Sequence, residues 1–254
     1  MKITVLGCGT STGVPIIGCP CAVCTSDNEK NKRYRSSVYI EIDKTKILID
    51  TTPDFRSQAL ENSIKIIDAV LYTHPHSDHL NGIDELRIFN FWKQGAINIY
   101  SYKEHLDEIK KRFSYIFDDG KITGGGKPML VPNIVDDKVF KINEIEIIPV
   151  KLYHGDMRNM GVRINNFAYL TDCNSIPDES YKLMENLDVL IIDALRFRKH
   201  PTHFSLQEAL EEIDKIKPKF AYLTHMTHDF DYEELLKQLP VGVEPAYDGL
   251  EIKL

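Results

Sequence analysis

Two short stretches of this chain carry residue types that can do chemistry. The first is Thr73-His74-Pro75-His76-Ser77-Asp78-His79, which follows the apolar run Ala69–Tyr72. On an extended or tightly turned backbone, side chains alternate with a period of two, so His74 and His76 point the same way. Asp78 and His79 then face the same space from the next turn. Imidazole and carboxylate both ligate divalent ions, and this cluster can serve two ions held side by side. A polar turn with chance histidines is the plain alternative, and 9 histidines in 254 residues weigh against it. The second stretch is Cys19-Pro20-Cys21-Ala22-Val23-Cys24. Thiols at this spacing favour a metal over a disulfide, but a closed zinc site takes four ligands, so one is missing.

Such side chains need rigid elements to hold them. Lys2–Leu6 reads as a strand entering the glycine- and hydroxyl-rich loop Gly7–Gly13. Val38–Ile42 and Lys46–Ile49 read as a hairpin turning at Asp43-Lys44, and Asp54 as the cap of a helix reaching about Asn62. Ala69–Tyr72 is a strand that ends at the histidine cluster. Helical spacing covers Ile83–Trp92 and Lys103–Phe117, with a strand at Ile97–Tyr100 between them. Asp118–Pro128, which contains Gly124-Gly125-Gly126, reads as a flexible loop and a candidate lid. Strands follow at Val139–Ile142, Ile145–Val150, Gly161–Ile164, Phe167–Leu170, Val189–Ile192 and Phe220–Leu223. Helices are expected at Ser205–Ile216 and Asp231–Leu239, before a short closing strand. No repeat, low-complexity tract or linker-like shift divides 1–254, so one mixed α/β domain is expected.

The composition bounds the function. A 43% hydrophobic and 27% charged chain is that of an ordinary globular protein. No apolar run approaches the roughly 18 residues of a membrane span. The opening MKITVLGCGT reads as a strand and a turn rather than a secretory signal, so a cytoplasmic protein is expected. In that reducing setting the 5 cysteines point to metal binding. The net charge of −7 argues against a protein that coats nucleic acid, while leaving room for a local positive pocket.

The pattern His74-x-His76-x-Asp78-His79 after an apolar strand resembles the signature of the metallo-β-lactamase superfamily of dinuclear hydrolases. The resemblance implies a four-layer αββα sandwich with metals at one edge of its two sheets. It also implies further ligands after later strands, and each has a match: His154 after Ile147–Leu152, Asp172 after Ala168–Leu170, and His225 after Ala221–Leu223. His74, His76 and His154 would hold the first ion, Asp78, His79 and His225 the second, with Asp172 bridging. Histidine rather than glutamate at position 76 favours hydrolysis over diiron redox chemistry. Aspartate at 172 and histidine at 79 point away from an antibiotic-hydrolysing lactamase. Cys173 and Cys8 read as small buried side chains rather than ligands.

The missing thiol-site ligand is then expected in Thr224-His225-Met226-Thr227-His228. With His225 at the catalytic pair, His228 can face another way and complete Cys19, Cys21 and Cys24 as a Cys₃His zinc set. This combination, with GCGTSTGVP near the start and Tyr247-Asp248-Gly249-Leu250 near the end, resembles the PhnP-like branch, which hydrolyses phosphoribosyl cyclic phosphate and related diesters. The third ion would be structural, tying the N-terminal loop to the segment that bears His225.

Two adjacent divalent ions, zinc or manganese, supply hydroxide near neutral pH and orient in-line attack on phosphorus. The departing alkoxide still needs a proton. His203 matches the position of the non-ligand histidine that acts as general acid in tRNase Z and PhnP-like enzymes; His200 is the second choice. Asp78 is a further candidate for proton transfer while ligating metal. Arg196 and Arg198 are either a second phosphate site or solvated loop charges, and Gly9–Gly13 either presents N–H groups to substrate or simply turns the chain. The expected function is hydrolysis of a small phosphodiester. The rivals are tRNA 3′ processing, for which no long basic arm is visible, and thioester hydrolysis of the glyoxalase II type; a metal-stapled binding protein would not need the second ligand set. Phe89, Phe91 and Trp92 read as core, with a homodimer patch as the alternative.

Overall fold

The computed structural model describes residues 1–118 and 126–254, so most of the glycine loop expected over Asp118–Pro128 lies outside the described residues. The first half of the chain builds one sheet from β1 (Lys2–Gly7), β2 (Ser37–Ile42), β3 (Thr45–Ile49), β4 (Ala69–Leu71), β5 (Ile97–Tyr102) and β6 (Leu130–Val135). The second half builds another from β7 (Phe140–Ile142), β8 (Ile145–His154), β9 (Met157–Ile164), β10 (Phe167–Leu170), β11 (Val189–Asp193), β12 (Phe220–Thr224) and β13 (Val243–Pro245). Then β14 (Glu251–Lys253) returns to pair with β1, so among the described residues each sheet has seven strands, ordered β14-β1-β2-β3-β4-β5-β6 and β13-β12-β11-β10-β9-β8-β7.

The alternation of apolar residues explains why these sheets stack. Val38, Ile40 and Ile42 of β2 and Ile47 and Ile49 of β3 join a core shared with β8–β12, while Tyr39 and Leu48 join a second core under the helices. Both faces of the sheet are therefore buried, one by the partner sheet and one by α1 (Phe55–Glu61), α2 (Ser77–Leu80), α3 (Leu86–Lys93), α4 (Lys103–Arg112) and α5 (Ser114–Phe117). On the other side lie α6 (Asp178–Tyr181), α7 (Leu206–Ile216) and α8 (Tyr232–Gln238). The result is the expected four-layer αββα sandwich. Ser205 starts α7 with a reciprocal capping box to Glu208, and Asp231 caps α8 through the Glu233 and Glu234 amides. No helix among the described residues is long and apolar enough to cross a membrane.

Several local expectations fail for identifiable reasons. Asp54 precedes α1 but makes no side-chain cap; its carboxylate is taken by the Arg35 guanidinium at 2.8 Å and the Arg35 amide at 3.0 Å. The Lys103–Phe117 helix breaks at Phe113 into α4 and α5. Strand β6 was not foreseen, since Pro132 sits in it; among the described residues it pairs only with β5, at an edge where a missing N–H is tolerated. Phe89 is core, whereas Phe91 and Trp92 project outward at 59% and 68% exposure, against the expectation of core packing.

Two blocks of parallel strands, β3-β4-β5-β6 and β10-β11-β12-β13, end at the same side of the stack. Carboxyl ends of parallel strands are where α/β proteins place their ligands. The chain after β4 leads to His74, β8 ends on His154, and Asp172 and His225 follow β10 and β12.

Candidate metal centre

The expected ligands converge. His74, His76 and His154 bring one ligand atom each to within 4.8 Å of one another, and Asp78, His79, Asp172 and His225 form a second such group. Asp172 lies between the two: its Oδ1 is 3.1 Å from His79 Nε2, and its Oδ2 is 3.2 Å from His225 Nε2 and 3.8 Å from His74 Nε2. His76 is the exposed member of the set, while Asp172 and His79 are almost fully buried.

Three turns throw these side chains inward at a local cost. Asp50, Asp172 and His225 have φ of 64°, 52° and 58°, in the left-handed region, just beyond β3, β10 and β12. Asp and His visit this region more readily than most residues. Even so, such conformations cost on the order of 1–3 kcal/mol each and persist only where rigid surroundings impose them.

The ring nitrogens say which groups fit this cluster. His79 Nδ1 lies 2.7 Å from Asp50 Oδ2 and so donates to that carboxylate. Asp50 also takes the Thr73 amide at 2.9 Å and the Thr73 hydroxyl at 2.8 Å, leaving Thr73 Oγ1 to accept from His74 Nδ1 at 3.0 Å. His154 Nδ1 donates to the Thr202 carbonyl at 2.7 Å. With Nδ1 engaged in His74, His79 and His154, Nε2 is the atom each of these rings turns toward the cluster. The Nε2 atoms of His74 and His79, and both ring nitrogens of His225, are buried without a hydrogen-bond partner among the described residues. Orphaned buried nitrogens facing two carboxylates fit divalent cations, and hydrogen-bonded Nδ1 groups are the usual outer support of such ligands.

Protonation follows the same logic. Burial holds His74 well below the usual imidazole range and lowers His154 to about 4, so both stay neutral. For His79, burial opposes charge, but Asp172, Asp78 and Asp50 outweigh it and raise the pKa. Burial likewise opposes ionisation of Asp78 and Asp172, and the histidines outweigh it, so both remain carboxylates.

His203 stands beside this cluster, with Nε2 3.9 Å from Asp172 Oδ2 and its ring stacked on His225 at 4.6 Å. Its Nδ1 donates to Asp193 Oδ2 at 2.8 Å. Burial disfavours its charged form, but Asp193 outweighs burial and lifts the pKa to about 9. His200 is placed differently. Its ring is 5.2 Å from that of His203, its Nδ1 faces the Thr202 amide and hydroxyl, and it belongs to no ligand cluster among the described residues. Arg196 is not free either, since its guanidinium holds the carbonyls of Arg198 and Lys199. The Gly9 loop is explained by packing: a Cβ on Gly9 would meet Arg33 O at 2.8 Å.

Asp50 and Asp193 were missed in the sequence. Both follow buried strand residues, Ile47-Leu48-Ile49 and Leu190-Ile191-Ile192, in the same strand-then-acid pattern that located Asp172. That pattern was the available signal.

The thiol cluster is equally defined. Cys19, Cys21 and Cys24 Sγ lie 3.3, 3.4 and 3.4 Å from the single atom His228 Nδ1. One ring nitrogen cannot serve three sulfurs by hydrogen bonding. Tetrahedral bonds of about 2.3 Å to sulfur and about 2.05 Å to nitrogen put these atoms roughly 3.5 Å apart, so the set fits a zinc ion. The Cys24 amide, 3.4 Å from Cys21 Sγ, is the main cause that draws the Cys21 thiol down to about 6. The segment carrying both His225 and His228 is clamped by the N-terminal region. Met226 N donates to Cys8 O at 2.9 Å, and buried Arg33 donates to Thr227 O at 3.1 Å and Phe230 O at 2.7 Å.

Comparisons with known proteins agree with this geometry. Residues 45–226 match the family model described as a beta-lactamase superfamily domain. The crystal structure of a new diphosphatase from the PhnP family is 41% identical, with 100% of this chain and 97% of that one covered, and superposes with a TM-score of 0.93. Human tRNase Z, short form, covers 100% and 99% with a TM-score of 0.68, but at 18% identity it speaks for the fold alone. A Porphyromonas gingivalis protein named octanoyltransferase is 38% identical over 99% of this chain. This chain spans only 51% of that relative's length, so the name describes a protein about twice as long. Because the family match runs over most of the chain and the PhnP-family likeness over all of it, the chain belongs to the metallo-β-lactamase superfamily of hydrolases, in its PhnP family.

Proposed function

We propose that this protein hydrolyses a small phosphodiester or a substituted diphosphate, both of which present a phosphorus atom bearing two bridging oxygens. His74, His76 and His154 would hold one divalent ion and Asp78, His79 and His225 another, with Asp172 between them; zinc and manganese both suit this donor set. When bound, such a pair makes water a nucleophile near neutral pH and neutralises phosphate charge. The chain's own contribution is to position and to move protons. His203 delivers its Nε2 proton to the oxygen that departs as the phosphorus–oxygen bond breaks, while Asp193 keeps that imidazole charged and oriented. Asp78, beside His79 and His225, would take the proton released by attacking water. Cys19, Cys21, Cys24 and His228 would hold a structural zinc.

The observation that carries this reading is the position of His203: its imidazole, anchored by Asp193, reaches Asp172 and stacks on His225 without being needed in either of the two proposed ligand sets. The diphosphatase described for the PhnP-family neighbour supports a phosphorus substrate. Acyl transfer through a cysteine nucleophile has no support, since Cys8 and Cys173 are fully buried with thiols raised by burial, and the others face His228. His200, set behind His203, has no assigned part.

The test is turnover of bis(p-nitrophenyl) phosphate with manganese or zinc, which Asp78→Ala should abolish. Activity on a thioester or lactone, with none on any phosphodiester or diphosphate, would overturn the substrate class.

A further inference from the structure

A groove between α1 and α3 contains none of the candidate ligands and has no role in the reaction above. Its volume is about 1160 Å³, as large as many small-molecule sites. Phe55 and Phe89, with ring centroids 5.8 Å apart, line its interior together with Ala59 and Ile64. Its rim carries Leu60, Phe91, Trp92 and Met129, which are 63%, 59%, 68% and 51% exposed. Apolar side chains gathered at this density on a surface mark a binding site.

The polar lining is one-sided. Among the described residues, Arg56, Lys65, Arg87 and Lys127 face the groove against the single acid Glu85, on a chain whose net charge is −7. Arg56, Lys65 and Arg87 are exposed and form no ion pair or side-chain hydrogen bond among the described residues. A second copy of this chain is a poor occupant. A two-fold interface matches a surface to itself, and Glu85 alone cannot answer four cations. A concave apolar trough with cations at its margin instead complements an aliphatic tail that ends in a negative head.

The geometry points to a binding site for a soluble, single-chain anionic amphiphile, of the class of a long-chain carboxylate. The tail lies along Phe55, Ile64 and Phe89, and the head meets Arg56, Lys65 and Arg87. The site is separate from the hydrolytic centre, so it stands whether or not the phosphodiester reading does.

The chain has one tryptophan, Trp92, on the groove rim, which makes it a direct reporter. Titration of the full chain with dodecanoate below its micellar threshold should give a saturable blue shift of its fluorescence. Dodecyltrimethylammonium should give none. The charge-reversed pair Lys65→Glu with Arg87→Glu should weaken dodecanoate binding by about tenfold or more, with phosphodiester turnover unchanged. Ile88→Asp, at an exposed groove position, tests the apolar part and should also weaken binding. The inference is overturned by the absence of a saturable shift, by equal response to the cationic amphiphile, or by a shift seen only with anionic phospholipid vesicles. It is equally overturned by a protein dimer in sedimentation that Trp92→Ala disrupts and dodecanoate does not.

Discussion

If His203 supplies the leaving-group proton, its removal should matter only when the leaving group needs one. In a 2′,3′-cyclic nucleotide the departing oxygen is an alkoxide, and general acid catalysis there is worth about 10²–10⁴ in rate. In bis(p-nitrophenyl) phosphate the departing p-nitrophenolate is stable unprotonated. His203→Ala should therefore lower kcat on the cyclic nucleotide by about that factor and leave the nitrophenyl ester nearly unchanged. Asp193→Asn is the finer test. Both the His203 Nδ1–H and the Cys173 amide bond the same atom, Asp193 Oδ2, at 2.8 and 2.9 Å, while Oδ1 is buried without a partner. An asparagine oxygen in the Oδ2 position keeps both bonds and removes only the charge. Without it, the His203 pKa falls from about 9, because the main cause opposing burial is gone and only Asp172 still raises it. The acid form must be present for turnover, so activity is lost as pH rises through this pKa, and the variant's alkaline limb moves down. Each unit by which that pKa falls below the working pH cuts the protonated fraction by about tenfold, and the loss is expected on the alkoxide substrate alone. Bound dications lower the pKa in both proteins alike, so the difference between them persists. The assay is the pH profile of kcat on the two substrates, with metal content measured alongside. Equal losses on both substrates at unchanged metal content, or an unmoved alkaline limb, would refute the acid role of His203.

Other perturbations probe the supports. Asp50→Ala should weaken catalytic metal binding by about 10–100-fold, because His79 and Thr73 lose their shared acceptor; metal titration by calorimetry reads this, and unchanged affinity would show that β3 plays no part in ligand orientation. Cys21→Ser should lower zinc content by about one ion per chain and reduce thermal stability; an unaltered zinc count in elemental analysis would remove the thiol site. Asp248 accepts the Tyr34 amide at 2.6 Å and the Cys8 amide at 3.1 Å. Asp248→Ala leaves both donors unmet, at about 1–3 kcal/mol each, so a midpoint shift in urea equivalent to less than about 1 kcal/mol would contradict the anchoring role.

Much of the centre was legible because its ligands follow strands buried on both faces, and such strands are easy to see. Val189–Ile192 and Phe167–Leu170 read as continuous apolar runs, and a polar residue at the end of such a run is conspicuous. His74, His76, His154, Asp172 and His225 were placed this way, and the structure gathers them into neighbouring groups. What stayed hidden depends on partners distant in sequence. Asp54 has the form of a helix cap, but Arg35, 19 positions earlier, claims its carboxylate. Phe91 and Trp92 sit in a helical pattern with Phe89, and only the position of β6 and the groove decides which of them faces inward. Asp50 looks like any acid beginning a turn, and its partner His79 lies 29 positions away.

The left-handed turns bind these facts together. Asp50, Asp172 and His225 hold an unfavourable backbone where glycine would sit comfortably, yet glycine has no side chain to offer the site. The strain therefore has to be imposed by what precedes and follows each turn. Before each lies a fully paired inner strand, β3, β10 or β12. After His225 come the Met226 bridges to Cys8 and Thr10 and the Arg33 bonds to Thr227 and Phe230. On this view the thiol site and Arg33 share one task, which is to fix the far end of the turn that presents His225. The consequence is measurable. Arg33→Met should loosen catalytic metal affinity as well as stability, whereas Cys21→Ser, with the Arg33 clamp intact, should cost stability and one zinc but spare most of the affinity at the catalytic pair. Loss of catalytic metal in Cys21→Ser comparable to that in Arg33→Met would instead make the thiol site the principal restraint on His225.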